Sequence, residues 1–456
     1  MNEERRELGD LAAELARKLV QERFPDGPMT LEEMEEALAQ VKRELGERLQ
    51  KAWIERQEPE GENRAACVRC GDRARFCGVR GRLLVSRHGE MNVRRRYYHC
   101  PHCHQGFAPL DLRLRLDGHA TSPQVRAWVA ELASDGAFAL AVQRLATFTD
   151  VRVSESTAAR IAQRIGERLR AEESAEAKRV LAGEAVGRRT SWRAGRLHIS
   201  LDGTMAPLRD PWKRDGSLGA LQCRFGECKT AVCYETRLDA AGMPVAARRQ
   251  YTATLSPVEI FEKLVAALAY HCGSDRAEEL AVLADGLAYN WRIAEEYFPE
   301  AVQILDFYHA TEHLWEVARV CWEAGHPDGA PDGAPDAMKE WVAARKEQLL
   351  GDQVAAVCDA IQALPAPTAE AQTCREETWG YFTRNQQRMR YRTFRQAGYQ
   401  IASGVMEAAC KTVVHQRLDQ SGMHWTSRTA EAVAALRANR LSDQPRDLRP
   451  YCVGWS

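Results

Sequence analysis

The hydrophobic and polar positions between residues 281 and 309 follow a pattern that predicts a strand, a helix and a second strand. Two short apolar runs, AVLAD and AVQILD, each end in an aspartate, and the apolar residues between them recur at helical spacing. This order is typical of a βαβ unit with parallel strands. Because the carboxyl ends of such strands meet at one edge of a sheet, we expect Asp285 and Asp306 to lie there.

An earlier segment has the pattern of an antiparallel sheet. The runs LHISLDGT, CKTAVCYETRLDA and VAARRQYTATLS read as three strands, and PVEIFEKLVAALAYHC reads as the helix that follows them. The first run places Asp202 at its end. With the βαβ unit, the predicted order is three antiparallel strands, helix, strand, helix and strand, which is the order of the ribonuclease H-like fold. The predicted fold class is therefore α/β plus α, with a metal-binding nuclease-type core.

The segments around this core are predicted to be mostly helical. Residues 1–58 read as a helical hairpin, with a dimerising coiled coil as the alternative. Residues 120–172 read as three helices that resemble a helix-turn-helix, with a plain three-helix packing unit as the alternative. We divide the chain into an N-terminal helical region (1–58), a zinc ribbon (64–112), the helix-turn-helix-like domain (120–172), the first part of the core (195–315), an all-helical insertion (316–395) containing the loop HPDGAPDGAPDA, a segment completing the core (396–440) and a tail (441–456).

Four cysteines in two pairs predict a structural metal site. Cys67 and Cys70 form one CxxC turn, and Cys100 and Cys103 form a second after 29 intervening residues, 71–99. Zinc requires four thiolates in a tetrahedron, and each CxxC turn supplies two of them. The polar, β-type stretch between the turns predicts a zinc ribbon, whose four ligands leave no open coordination position.

Composition adds a local rather than a global charge signal. The chain has 63 Lys and Arg against 64 Asp and Glu, but residues 64–96 hold ten arginines and only two acids. Local positive potential favours nucleic acid binding, with a solvated surface as the alternative. The residues expected to contact DNA are Arg94, Arg95 and Arg96 on the ribbon and Arg160, Gln163 and Arg164 on the third helix of the helix-turn-helix-like domain.

The remaining composition excludes a membrane protein. We find neither a transmembrane stretch nor the features of a signal peptide, and the cysteines beyond the ribbon are scattered singly, as reduced core cysteines are. We therefore expect a cytoplasmic protein.

Two-metal phosphodiester chemistry requires a third carboxylate besides Asp202 and Asp285. The best candidate is Glu407 in IASGVMEAACKTVVHQRLDQSGMHW, where Ser403 is predicted to cap a helix. Glu407 and Lys411 are also spaced as an ordinary surface ion pair, which remains the alternative.

The motifs SLDGT, LADGLAYNW, ILDFYHATEHL and ASGVMEAACK followed by GMHW, in this order after the CxxC pairs, resemble bacterial insertion-sequence transposases of the DDE class, specifically the IS-Kra-type family. The resemblance implies that Asp202, Asp285 and Glu407 bind catalytic Mg²⁺ or Mn²⁺, with the helical insertion between the last two. Asp306 and His309 match the Asp/Cys-x-x-His signature shared with Mutator-like transposases. Their role stays open between metal binding, DNA positioning and structure, and Trp425 either stacks on a flipped base or closes a hydrophobic cluster.

The function that the resemblance implies is DNA transposition. The partners would be the terminal inverted repeats of the element and target DNA, both double-stranded and associated with the bacterial nucleoid, and pairing of ends would require a homodimer or larger assembly. The alternatives are a ribonuclease H-like nuclease without strand transfer and a domesticated DNA-binding protein that keeps the ribbon.

Overall fold

The computed structural model describes residues 3–58, 63–116, 119–193, 195–209, 224–242, 244–325 and 334–454. Its internal contacts divide it into two compact units, Met1–Ile165 with Asp447–Ser456 and Gly166–Arg446. The elements of the first unit are α1 (Glu3–Arg23), α2 (Leu31–Arg56), β1 (Arg64–Ala66), β2 (Arg73–Ser86), β3 (Gly89–His99), β4 (Gly106–Phe107), α3 (Pro109–Arg113), α4 (Pro123–Asp135), α5 (Phe138–Thr149) and α6 (Glu155–Leu181), which continues into the second unit.

The first two helices form the predicted hairpin. Thr30 and Glu33 form a complete capping box at the start of α2, which fixes where the chain reverses direction after Pro28. Ion pairs join opposite ends of the two helices, with Arg56 Nη2 3.1 Å from Glu7 Oε2. The helices are therefore antiparallel neighbours.

The ribbon is an antiparallel sheet of order β1-β2-β3-β4. Arg82 and Arg95 point to one face of it, where the Asp111 carboxylate accepts hydrogen bonds from them at 2.6 and 2.7 Å. Ala74 and Tyr98 are buried on the opposite face, near the cysteines. Because side chains alternate along a strand, the residues flanking Ala74 face outward.

Of residues 441–456, which we expected to form a tail, those from Asp447 onward belong to the first unit and those up to Arg446 to the second. The Arg126 side chain on α4 is fully buried and donates to the carbonyl oxygens of Cys452 at 2.6 Å and Leu116 at 2.8 Å. Cys452 is itself fully buried. A charged guanidinium can be buried here because backbone carbonyls accept its hydrogen bonds.

The second unit contains the predicted α/β core and most of the remaining helices. Its elements are β5 (Arg196–Leu208), β6 (Arg224–Leu238), β7 (Pro244–Thr254), α7 (Val258–Cys272), β8 (Glu279–Ala284), α8 (Ala288–Tyr297), β9 (Val302–Leu305), α9 (Phe307–Gly325), α10 (Ala334–Leu350), α11 (Val354–Gln362), α12 (Ala369–Arg384), α13 (Tyr391–Gln396), α14 (Gly404–Ala409), α15 (Gln416–Leu418) and α16 (Ser427–Leu441).

The sheet of this unit has the order β7-β6-β5-β8-β9, with β5, β6 and β7 antiparallel and β5, β8 and β9 parallel. Every strand predicted from the apolar runs is present. One prediction needs correction, because Asp202 does not end its strand. Pairing of β5 with β8 stops at Leu201, opposite Ala284, while pairing with β6 continues to Leu208.

Helices cover both faces of this sheet. Leu197, Ile199 and Leu201 pack in one hydrophobic cluster with residues of α7 and α8, as the alternation along a strand requires. On the opposite face, Val232 and Tyr234 pack against α14. The side chain of Asp202 belongs to this second face.

The region after β9 is helical, as predicted. The apolar side chains of α9 to α12 recur every three or four residues, and they pack in the same hydrophobic core as the sheet. Of the run HPDGAPDGAPDA predicted as a loop, residues 326–333 lie outside the described residues, and α10 already begins at Ala334, so the final part is helical. None of the helices in the described ranges is long and apolar enough to cross a lipid bilayer.

Replacing Arg126 should expose how much the C-terminal segment contributes to the first unit. Arg126→Met leaves buried carbonyl oxygens without donors, so the free energy of unfolding should fall by about 3 kcal/mol in urea denaturation. The exposed Arg152 provides the control, since Arg152→Met should change stability by no more than about 0.5 kcal/mol. Equal effects of the two substitutions would contradict the structural role of Arg126.

Candidate active site and metal centre

Two of the predicted acids, Asp202 and Asp285, lie next to each other in the sheet of the second unit, at the carboxyl end of β8. Leu201 and Ala284 are the last paired residues of the parallel strands β5 and β8, and the next residue in each strand is an aspartate. Asp202 and Asp285 therefore lie at the same level, where the pairing of β5 with β8 ends, although β5 itself continues to Leu208 beside β6. Sequence reasoning predicted this neighbourhood correctly.

The Asp202 carboxyl lies in a partly buried, negatively charged environment. Burial raises the pKa of the Asp202 carboxyl, and the nearby Asp285 carboxylate raises it further. Hydrogen bonds from the Cys410 thiol, 3.4 Å from Oδ2, and from the Gly203 amide, 2.7 Å from Oδ1, act in the opposite direction. Two acids that repel each other in this way form a donor set that a divalent cation would stabilise.

The Asp285 side chain is oriented by the start of α8. Its Oδ1 accepts hydrogen bonds from the Leu287 amide at 3.0 Å and from the buried Asn290 amide at 2.8 Å. Its Oδ2 has no hydrogen-bond partner among the described residues. Asp285 therefore keeps one oxygen available for a ligand.

A helix of the insertion contacts the backbone between β8 and α8, where Asp285 lies. The Tyr381 hydroxyl on α12 donates to the Asp285 carbonyl oxygen at 2.9 Å. Gly286 has φ +101° and lies so close to Tyr381 that a Cβ would meet its ring at 2.7 Å, so glycine is required after the aspartate. His313 packs on the same ring, with centroids 4.1 Å apart.

A further acid, which sequence reasoning missed, lies against Gly203, the residue after Asp202. Glu227 on β6 accepts a hydrogen bond from the Tyr289 hydroxyl at 2.9 Å and pairs with Lys229 at 3.0 Å. A Cβ on Gly203 would lie 2.3 Å from Glu227 Oε1, which explains the glycine of SLDGT. Glu227 faces the side of the sheet opposite to Asp202.

The Asp306 carboxylate connects two segments of the backbone by hydrogen bonds, an arrangement that we call the Asp306 clamp. Its side chain is fully buried, and Oδ1 accepts hydrogen bonds from the Tyr308 and His309 amides at 2.6 and 3.2 Å at the start of α9. Oδ2 accepts a hydrogen bond from the Ser403 amide at 2.6 Å. Both oxygens are occupied by backbone donors, so the geometry favours the structural role for Asp306 over metal binding.

This clamp sets the start of α14, the helix that carries Glu407. The Ser403 side chain makes no capping hydrogen bond, contrary to prediction, while its backbone amide donates to the Asp306 carboxylate. Cys410 lies one helical turn after Glu407, and its thiol contacts Asp202. Side chains three residues apart on a helix have Cβ atoms about 5–6 Å from each other, so Glu407 lies near Asp202.

The carboxylate of Glu407 is nevertheless exposed. The ligand atoms of Asp202, Asp285 and Glu407 do not all lie within 4.8 Å of one another in the described part of the chain. Glu407 also makes no hydrogen bond or ion pair through its side chain with any described residue, so the alternative ion pair with Lys411 is not formed. The structure therefore brings the two aspartates together and leaves the exposed Glu407 carboxylate outside their group.

A π-helical segment, Cys410–His415, follows α14 directly. Its wider turn removes the regular four-residue spacing on which the shared face of Glu407, Lys411 and His415 was predicted. All three side chains are exposed. His415 Nε2 lies 3.5 Å from the Thr204 hydroxyl, on the same face of the sheet as Asp202.

His309 lies near the two aspartates. Its Nδ1 pairs with Glu312 Oε2 at 3.2 Å, and its charge acts to lower the pKa of the Asp202 carboxyl. The pair with Glu312 is exposed to solvent, so it holds the ring only weakly.

The four predicted cysteines form a cluster in the first unit that can hold a metal ion. All four Sγ atoms lie within 4.8 Å of one another, with Cys67 to Cys103 at 3.5 Å and Cys70 to Cys100 at 3.6 Å. Tetrahedral ligands 2.3 Å from zinc are separated by about 3.8 Å, whereas a disulfide requires about 2.05 Å. Hydrogen bonds from the Arg69 and Cys70 amides lower the pKa of Cys67, whereas burial and the neighbouring thiols raise the pKa of Cys70 and of Cys103, so Cys67 is the first of these three to ionise.

The predicted DNA-contacting arginines of the ribbon differ in exposure. Arg94 is exposed. Arg95 is held by Asp111, and the Arg96 guanidinium lies 4.1 Å from the centre of the Phe76 ring. Arg95 therefore stabilises the sheet, which corrects its assignment as a DNA contact.

On α6, Arg160 is exposed and bonds only to residues of its own first turns, Ser156 and Thr157, in the hydrogen bonds described. Arg164 Nη1 lies 3.1 Å from His119 Nε2. Gln163 is half-buried.

Trp425 is buried, and its indole donates to the Leu418 carbonyl oxygen at 2.9 Å. The geometry thus favours the hydrophobic-cluster role over stacking on a base.

No family model matches this chain, and no curated protein is significantly similar to it.

Replacing Asp306 should separate its structural role from metal binding. Asp306→Ala leaves three backbone amides without their acceptor, so the free energy of unfolding should fall by about 3 kcal/mol in urea denaturation without added metal. The exposed Asp419 provides the control, since Asp419→Ala should cost no more than about 0.5 kcal/mol. Unchanged stability of the Asp306 variant would contradict the clamp.

The cysteine cluster can be tested by metal analysis of the purified chain. Cys100→Ser removes one of four ligands, so the metal content should fall by about one ion per chain in elemental mass spectrometry. Cys77→Ser changes an exposed cysteine outside the cluster and should leave the content unchanged. Retention of the ion in the Cys100 variant would contradict the site.

Proposed function

We propose that the chain is a DDE-class DNA transposase of an insertion sequence, which binds the terminal inverted repeats of its element and catalyses metal-dependent strand cleavage and strand transfer. The observation that carries the proposal is the meeting of Asp202 and Asp285 at the ends of paired parallel strands, beside a helix that bears Glu407. The sheet order, with three antiparallel strands followed by two parallel ones, supports a ribonuclease H-like core.

The donor set fits hard divalent cations. Asp285 Oδ2 lacks a hydrogen-bond partner in the described part of the chain, and the repulsion between Asp202 and Asp285 raises the pKa of Asp202. Mg²⁺ or Mn²⁺ bound by Asp202, Asp285 and Glu407 would supply Lewis acidity to the scissile phosphate and to the attacking oxygen. Glu407 would reach the site by side-chain rotation, because its helix is already held against Asp202 through Cys410.

The reaction proceeds by two displacements at phosphorus. In the first, the oxygen of water bonds to the phosphorus at the element end, and the bond to the 3′ oxygen breaks to give a 3′-hydroxyl. In the second, that 3′ oxygen bonds to a target phosphorus, its proton leaves to solvent, and the target strand is released at its own 3′ oxygen. Asp202 and Asp285 would hold the divalent cations to which the reacting phosphate binds, and His309 adds positive charge near Asp202.

The first unit would bind the DNA. The cysteine cluster is proposed to hold Zn²⁺, because its sulfur separations and its lack of an open position fit a structural zinc site. The exposed Arg94 and Arg160 provide positive charge on the ribbon and on α6. Pairing of two element ends would require a homodimer or larger assembly.

Conservative substitution of the three acids tests the proposal. Asp202→Asn, Asp285→Asn and Glu407→Gln should each lower the rate of cleavage in Mg²⁺ by about 1,000-fold, because each removes several kcal/mol of transition-state stabilisation. The assay measures nicking and joining of plasmid DNA that carries the sequences flanking the gene, with affinity for the same DNA followed separately.

Glu323→Gln provides the control, because Glu323 is an exposed acid that pairs only with Arg319 among the ion pairs described. It should leave cleavage unchanged. Cleavage by the Glu407 variant at the original rate would contradict the triad, and cleavage without joining to a second DNA would favour a nuclease over a transposase.

A further inference from the structure

One face of the ribbon, at its end near the cysteines, carries a row of basic side chains that crosses three strands. Arg64 on β1 lies directly opposite Arg75 on β2, and Arg75 lies directly opposite His99 on β3. Residues directly opposite each other in an antiparallel sheet project to the same side. Arg73 is two residues before Arg75 and therefore joins this face.

The position of this face is fixed by what lies behind it. Ala74 alternates with Arg73 and Arg75 along β2 and is fully buried with Tyr98 and Cys100. Because the strand has one buried side here, Arg73 and Arg75 must project away from it. Both are exposed, as is Arg64.

The charge on this face is not balanced by the protein. Like charges directly opposite each other destabilise a sheet, yet Arg64, Arg73 and Arg75 form no ion pair or side-chain hydrogen bond with any described residue. Further along the same face, by contrast, Arg82 and Arg95 share the Asp111 carboxylate. The ribbon therefore neutralises the arginines next to Asp111 and leaves those near the cysteines uncompensated.

We propose that Arg64, Arg73 and Arg75, with His99 beside them, form a docking surface for the phosphate backbone of duplex DNA. The proposal rests on the proposed function for its choice of polyanion, and it replaces Arg95 and Arg96 as the ribbon's main contacts. Arg73 and Arg75 are about 7 Å apart along the strand, and the row from Arg64 to His99 is about 10 Å wide. A patch of this size faces several phosphates at once, since duplex DNA carries one charge per about 1.7 Å of its axis.

A second account of the same charge exists. Four thiolates around a divalent ion have a net charge of about −2, and the arginines near the cysteines would then act to offset it. The two accounts differ in what substitution does to the metal. Phosphate binding leaves the metal content unchanged, whereas charge compensation within the ribbon weakens metal binding.

The test compares two triple variants of the full chain. One is Arg64→Gln, Arg73→Gln and Arg75→Gln. The control is Arg5→Gln, Arg17→Gln and Arg152→Gln, which removes the same charge from exposed arginines elsewhere in the first unit. Binding of a 30-base-pair duplex, about the length of one ribbon-and-helix site, is followed by fluorescence anisotropy between about 50 and 200 mM KCl.

The ribbon variant should bind the duplex at least about tenfold more weakly at the lowest salt. Its plot of log affinity against log salt should be shallower by about 2.7, because each lost phosphate contact removes about 0.9. The control variant should change the slope by less than about 1. Metal content and the thermal unfolding midpoint of the ribbon variant should match those of the unmodified chain.

Three results would overturn the proposal. These are an unchanged salt slope in the ribbon variant, loss of its metal ion, and loss of binding to duplex RNA with duplex DNA binding retained. The proposed transposase activity fails independently, since it is measured as cleavage. If the unmodified chain binds DNA through this face but does not cut it, the transposase activity is rejected and the docking surface is retained. If the unmodified chain cuts DNA and the ribbon variant binds DNA normally, the docking surface is rejected and the activity is retained.

Discussion

The arrangement of the candidate active site depends on the buried carboxylate of Asp306. Its two oxygens accept hydrogen bonds from three backbone amides, two at the start of α9 and one at Ser403 just before α14. The segment around Ser403, which follows the helical insertion, is thereby attached to the end of β9. Since a buried carboxylate is costly without such donors, this joint has one stable geometry, and it sets where α14 lies against the sheet.

The same joint connects elements that are distant in sequence. Cys410 reaches Asp202 only because α14 begins where Asp306 holds it, and Asp202 is separated from Cys410 by 208 residues. From the other side, Tyr381 of the insertion holds the Asp285 backbone. The insertion therefore contributes to the site in two ways. It contacts the backbone of Asp285 directly, and it leads into α14, which is followed by the Cys410 that contacts Asp202.

Much of this architecture could be predicted from local sequence pattern. Apolar alternation located β5 to β9, and the paired CxxC turns located the cysteine cluster, because both signals are contained within short stretches of chain. The extension of β5 beyond Asp202 was missed, since SLDGT resembles a strand end and the continuing partner, β6, carries no special motif. The start of α10 at Ala334 was missed because a proline in the first turn of a helix looks like a loop residue.

Side-chain roles were harder to predict than elements. Asp306 and Asp285 have the same sequence context, an aspartate after an apolar strand, yet one is buried by backbone donors and the other keeps an oxygen available. Nothing local marks Tyr381 or Glu227, whose contacts arise only when the sheet and the insertion are assembled. Arg95 was assigned to DNA because it lies in a run of arginines, and only the folded ribbon shows that the Asp111 carboxylate pairs with it.

The central claim is that Asp202, Asp285 and Glu407 bind a pair of divalent ions in one site. Crystals soaked in Mn²⁺ and measured at the manganese absorption edge test this most directly. The account predicts two anomalous peaks about 4 Å apart between the two aspartates, with the Glu407 carboxylate rotated to coordinate one of them. Peaks confined to the cysteine cluster, or an ion at the aspartates with Glu407 still in solvent, would contradict it.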